Sequence, residues 1–309
     1  MLTEADRSHL ARLKQALDPL HALIDPARPV VYVDYPFHSN IGDLLIHQGA
    51  QAFLAAHGCH TVLDVAVETE ALLAKGVPQD ATIVLHGGGN LGDLYPRHQQ
   101  LRDRVVAQFP KHRIVLLPQS VHFSDPAAAA ACGALWSRHE DLHVCLRDHR
   151  SIATLAPCLQ RPPLLLPDMA HALFPSATDA RPGAGTLIFR RQDIEATSGD
   201  RTAFDWDTLL TGMDHRVIGL LHRAHRAAAR GWPVPAAALW ERFRDRLVRR
   251  ALAHMGRFAA VDTDRLHGML AALLIGRPVT ARDNSTGKLS AYHAAWLAGM
   301  PSVGTAFPA

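Results

Sequence analysis

Short apolar runs without period-two alternation are spaced along the first half of the chain, at Val30–Val33, 61–67, 82–85, 113–117, 143–147 and 164–166. A strand that is apolar on both faces must be covered on both, so these runs read as strands of a parallel sheet. Between them lie stretches with helical spacing, over 44–57, near 69–75 and 97–109, over 126–138, and briefly over 151–155. The amino-terminal stretch 3–24 reads as an amphipathic helix that ends before Pro26. Strands alternating with helices predict βαβ units.

A second series follows a turn-rich break at 174–185. Its strands are expected at 186–189, 217–221, 259–262 and 278–281, with a last helix over 287–298. The expected fold is α/β, with two Rossmann-like domains facing across a cleft. The boundaries are 1–175, 176–286, and a carboxyl-terminal helical segment 287–309 packing back on the first domain. At about 150 residues per domain, 309 residues agree with two.

Composition narrows the setting. The longest apolar runs fall far short of the roughly 20 residues of a spanning helix, and the polar amino terminus lacks the core of a signal peptide. The expectation is a cytoplasmic protein. Cys59, Cys132, Cys145 and Cys158 are too widely spaced for a CxxC pair, and no HExxH or compact His/Asp set is present, so no metal is expected. The net charge is +3, and aromatic residues make up 6%, which does not suit nucleic-acid binding. Nine arginines between Arg216 and Arg250 have helical spacing with interleaved apolar residues. They read either as a solvated helix face or as a peripheral contact with an anionic membrane surface or lipid-linked phosphate.

Candidate chemistry sits at the strand ends. Asn-x-Gly-Asp-Leu occurs twice, at 40–44 and 90–94, and the second copy follows Gly87-Gly88-Gly89. Asn and Asp suit a turn and a helix N-cap, and glycines let a ligand approach the backbone. Asn40, Asp43, Gly88, Gly89, Asn90 and Asp93 therefore form an expected two-turn site for an anion or polyol. In the segment 261–268, a strand runs into Arg265 and His267 just before an apolar helix. There Arg265 could grip a carboxylate or phosphate and His267 could transfer a proton. Arg190 and Arg191 end another strand, and either could face the cleft. Gln119 and Ser120, Arg147, and the turn from Asp283 to Lys288 with Asn284 complete the polar strand ends.

In order, Asn40-x-Gly-Asp43, Gly87-Gly-Gly-Asn90-x-Gly-Asp93, Leu117-Pro-Gln119-Ser120, Arg147-Asp148 with Ser151, Pro167-Asp168, Arg190-x-x-Asp193, Arg265-Leu-His267-Gly268 and Asp283-Asn284 with Lys288 resemble the polysaccharide pyruvyl transferases. The resemblance spans about residues 30–300 and is nearest to the bacterial exopolysaccharide ketal-pyruvate transferases. It implies a two-Rossmann, GT-B-like fold, phosphoenolpyruvate as co-substrate, no cofactor, and a glycan acceptor, either a lipid-linked oligosaccharide or a glycan free of lipid. It also implies that His267, assisted by Arg265, is the catalytic histidine. Donor contacts would come from Arg190, Arg191, Arg147, Asn284 and Lys288. Acceptor contacts would come from the two-turn site with Gln119 and Ser120. A nucleotide-sugar glycosyltransferase on the same fold is the alternative enzyme, and a glycan- or anion-binding module the non-enzymatic one.

Overall fold

The computed structural model describes residues 1–176, 183–197, 203–232 and 235–307. The part of the 174–185 break from 177 to 182 lies outside them. Eleven strands and nine α-helices follow one another along these residues. The first sheet contains β1 (Val30–Val33), β2 (Thr61–Val65), β3 (Thr82–Leu85), β4 (Gly88–Gly92), β5 (Arg113–His122), β6 (Leu142–Leu146) and β7 (Leu164–Leu165). Its order is β2-β1-β3-β5-β6-β7, with β4 paired to β5, and every pairing is parallel. Helices α1 (Glu4–Gln15), α2 (Ile41–Ala56), α3 (Pro96–Gln108), α4 (Pro126–Trp136) and α5 (His149–Leu155) accompany it. The second sheet has β8 (Thr186–Phe189), β9 (Ala260–Thr263), β10 (Val279–Ala281) and β11 (Val303–Thr305), again all parallel. Its helices are α6 (Gly212–Ala229), α7 (Ala236–Met255), α8 (Leu266–Leu274) and α9 (Lys288–Tyr292), the last continuing into a π-helical turn, His293–Leu297.

Alternate residues of β1 enter different cores. Val30 and Tyr32 belong to one buried cluster, and Val31 and Val33 to the other, so the strand is covered on both faces as its unbroken apolar run implies. The first cluster does not stop at the sheet. It continues through Leu44, Leu45 and Phe53 of α2 to Phe189, Val261 and Val279 of the second sheet. Helix α2 thus joins the two halves, packing against α7 and α8 of the second, and its amino terminus lies at the carboxyl ends of β1 and β3. There the strand order changes direction, the place where open α/β sheets bind ligands.

Several expectations need correction. The apolar run 217–221 is not a strand but the middle of α6, whose Thr211/Asp214 capping box fixes a helix start; a five-residue apolar run fits either element. Leu117–Ser120 lies inside β5 rather than at its end. Pro118 cannot donate to the ladder there, and the β5–β6 register shifts between Leu116 and Gln119. The second Asn-x-Gly-Asp turn does not cap a helix. It forms β4, and α3 begins only at Pro96 after Tyr95. Strand β11 has no apolar run to announce it.

The chain ends meet at Asp6. Its carboxylate accepts from Thr3 N and Oγ1 at 2.7 Å each, and from Ser302 N and Oγ at 3.1 and 2.6 Å, so one side chain caps α1 and ties it to the segment before β11. Asp6→Ala should therefore lower the unfolding free energy by about 1–3 kcal/mol, as expected for a lost cap plus stranded donors. Urea denaturation checks this, and an unchanged midpoint would refute the tie.

Candidate active site

Asn40 caps α2, accepting from Gly42 N at 3.0 Å and donating to Asp43 Oδ2 at 3.0 Å. Burial works against the ionised form of Asp43. The imidazoles of His38 and His267 outweigh it and hold the carboxyl below its usual value. His267, in the first turn of α8, packs on this cap: a Cβ on Gly42 would lie 2.7 Å from His267 Nδ1. The other ring nitrogen, Nε2, is 3.4 Å from Asp168 Oδ2 and 3.5 Å from Arg147 Nη1.

Asp168 and Arg147 form a fully buried ion pair. Burial opposes the charge on Asp168, but His267, Arg147 and the Ala170 amide hold its carboxyl well below the normal range. Tyr292 Oη accepts from Asp168 N at 3.0 Å and lies 2.8 Å from His171 Nε2. Ser120 Oγ accepts from Arg147 Nε at 3.0 Å and donates to Asp148 at 2.7 Å. Trp296 of the π-helical turn donates to the Arg147 carbonyl at 2.8 Å. Arg147 is thereby fixed at every point except Nη2, which faces Gly89. A Cβ there would be 3.0 Å from Arg147 Nη2 and 3.2 Å from Lys288 Nζ. The missing side chain leaves a seat flanked by two cationic groups.

The remaining cations come from the second sheet. Arg265 directs Nε and Nη2 to Asp205 at 2.5 and 2.6 Å, and Nη2 also reaches Asp193 at 3.2 Å. Arg191 donates to both Asp193 oxygens at 2.8 Å and to Glu195 at 3.1 Å. Lys288 Nζ donates to Glu195 at 2.9 Å and to the Gly89 carbonyl at 3.0 Å. Burial pulls the Lys288 ammonium below its ordinary pKa, against the opposing effect of Glu195. These groups share a cavity of about 210 Å³ lined by Asn40, Asp43, Gly89, Asn90, Arg147, Arg191, Arg265, His267 and Lys288.

Other expected residues take different positions. Arg190 turns away to Asp262, at 2.7 Å from both its carbonyl and Oδ1, so Arg191 is the member of the pair at the cavity. Asn284 does not line it; its Oδ1 accepts from Thr286 and Lys288 N, and shapes the turn that presents Lys288. Gln119 and Ser120 lie beneath the wall, on the His86 carbonyl and on Arg147 and Asp148. Asp93 braces the loop after β5 by accepting from Ser124 N and Oγ at 2.6 Å. Gly88 backs the site against Ile46 and Asp43 without lining it.

The cavity also contains residues that no motif announced: His38, Tyr95, His98, Glu195 and Trp206. Glu195 joins three chain segments through Tyr95, Arg191, Asn284, Thr286 and Lys288. His98 is held at 2.7 Å by Asp34, a residue with φ of 65°. Asp34 also pairs with buried Arg102, which donates to Asn90 Oδ1 at 2.6 Å. A non-glycine residue in the left-handed region at the end of β1 is a strained placement of the kind found at functional sites. Among the described residues no group of three or more His, Cys, Asp or Glu side chains could hold a metal ion.

The contact between Gly42 and His267 yields a direct test. Gly42→Ala should displace the imidazole and cost about 1–3 kcal/mol of stability through overpacking. Unmoved His267 resonances in heteronuclear NMR, with wild-type stability, would contradict the packing.

Residues 40–286 match the polysaccharide pyruvyl transferase family. The chain is 35% identical over 305 residues to "Putative pyruvyl transferase EpsO" of Bacillus subtilis, covering 96% of this chain and 94% of that one. It is 28% identical over 297 residues to "Pyruvyl transferase 1" of Schizosaccharomyces pombe, covering 88% and 70% respectively. A solved structure of a functionally uncharacterised Klebsiella pneumoniae protein superposes with a TM-score of 0.63 at 18% identity, covering 97% of this chain and 98% of that one, a likeness of fold. The chain belongs to the polysaccharide pyruvyl transferase family.

Proposed function

We propose that this transferase moves the enolpyruvyl group of phosphoenolpyruvate onto a sugar diol of a surface-polysaccharide precursor, forming a cyclic pyruvate ketal and releasing phosphate. The observation that carries this reading is the meeting of His267 with Arg147, Arg191, Arg265 and Lys288 around one cavity, with Asn40, Asp43 and Asn90 in the same wall. A donor with both a carboxylate and a phosphate needs several cations, and its methylene carbon needs a proton.

Arg147 Nη2 and Lys288 Nζ, beside Gly89, and Arg265 Nη1, which has no protein hydrogen-bond partner among the described residues, offer donors for those anions. His267 then protonates the methylene carbon, and charge develops on the adjacent carbon as an oxocarbenium-like centre. A sugar hydroxyl attacks that carbon and loses its proton, with Asp43 placed to accept it. Phosphate departs, and the second hydroxyl of the same sugar adds to the same carbon, releasing its own proton and closing the ketal. The protein thus supplies orientation, charge complementarity and one proton delivery. In this reading Asn40, Asp43 and Asn90 of the first sheet's loops hold the acceptor, and Arg147 joins Arg191, Arg265 and Lys288 of the second half in holding the donor.

Incubation with phosphoenolpyruvate and candidate glycans, lipid-linked and free, should yield one phosphate per ketal, identified by mass spectrometry. Release of nucleotide from a sugar nucleotide, with phosphoenolpyruvate untouched, would replace this reading with glycosyl transfer. His267→Ala should lower turnover by on the order of 10²- to 10⁴-fold while calorimetric binding of phosphoenolpyruvate persists. Arg265→Lys should remain impaired, because an ammonium cannot serve Asp205, Asp193 and a ligand with one planar fork. Wild-type turnover in either variant would remove that residue from the mechanism.

A further inference from the structure

The Arg216–Arg250 stretch divides into two groups once it is folded into α6 and α7. Arg244 is buried against α2, donating to His47 at 2.8 Å and to Gln51, and Arg250 pairs with Asp214 at 2.9 Å. The other seven, Arg216, Arg223, Arg226, Arg230, Arg242, Arg246 and Arg249, are exposed and form no ion pair among the described residues. A helix face that is merely solvated normally balances its cations with acids three or four positions away. Here the acidic residues of both helices are bonded to other partners: Asp214 to Thr211 and Arg250, Glu241 to Gln51, and half-exposed Asp245 to Gln48 and Arg244.

Large apolar side chains project among these arginines. Met213 is 64% exposed, Leu220 62%, Trp232 67% and Leu239 41%. Spacings of three and four place Met213, Arg216, Leu220, Arg223 and Arg230 along one side of α6 and its C-cap. Leu239, Arg242, Arg246 and Arg249 lie likewise along one side of α7. The two helices pack together, and Trp232 lies in the connection between them.

We infer that this α6–α7 face docks the protein on an anionic lipid bilayer. Unpaired guanidinium groups complement phosphate headgroups, and Met213, Leu220, Leu239 and Trp232 are the apolar and aromatic groups that enter the headgroup region beside them. The inference stands apart from the proposed reaction, since it rests on surface charge and exposure and not on the cavity.

Vesicle flotation tests it on the full chain without any substrate. The protein should float with vesicles containing phosphatidylglycerol, not with phosphatidylcholine alone, and salt should weaken the association. The triple variant Arg216→Gln, Arg223→Gln, Arg230→Gln should bind on the order of a hundredfold more weakly, at about fivefold per arginine. Leu220→Ser with Trp232→Ser should weaken binding several-fold. Unchanged thermal unfolding would show that both variants fold. Failure of the wild-type protein to bind anionic vesicles, equal binding to neutral ones, or an unaffected triple variant would overturn the inference. Retention on heparin or RNA without vesicle binding would overturn it as well.

Discussion

Buried in the wall of the cavity, Arg147 and Asp168 neutralise one another at the ends of neighbouring strands, and His267 rests against the pair. Removing either partner leaves a buried charge without compensation, a cost of about 3–5 kcal/mol. The pair also determines geometry. Ser120 of β5, Tyr292 of α9 and Trp296 of the π-helical turn all make hydrogen bonds to these two residues, so segments far apart in sequence converge on one ion pair. A carboxylate held strongly ionised beside an imidazole fixes which ring nitrogen faces it, and so leaves the other toward the α2 cap.

Two absent side chains matter as much as the charges present. Gly42 lets His267 lie against the first turn of α2, and Gly89 leaves room between Arg147 and Lys288. The repeated Asn-x-Gly-Asp motif is thus one feature used in two ways. The first copy caps a helix, and the second becomes a strand whose Asp93 braces a neighbouring loop. Arginine is used as differently. Arg102 and Arg244 are buried structural wedges, Arg147, Arg191 and Arg265 surround the cavity, and the α6–α7 arginines face outward.

What the sequence determined by itself was whatever depends on local periodicity and backbone chemistry. Apolar runs marked strands β1, β2, β3, β5, β6, β7, β8, β9 and β10; β1 and β3 are buried at every position, as strands covered on both faces are, whereas β8 alternates exposed and buried positions. Asn40 signalled a cap, the glycines signalled close approach, and the Arg265–His267 pair at a strand-to-helix turn marked chemistry. Only tertiary structure decided the rest. The run 217–221 is locally compatible with strand or helix, and β11 is a strand only because β10 offers an edge. Arg190 and Arg191 are adjacent and chemically alike, and Asp262 on the next strand is what turns one of them away. Glu195, His98 and Asp34 carry no motif, since their roles arise from partners 64 to 100 residues distant. Which polar side chains share a cavity is settled by the packing of α2 against α7 and α8, a long-range constraint that no local pattern encodes.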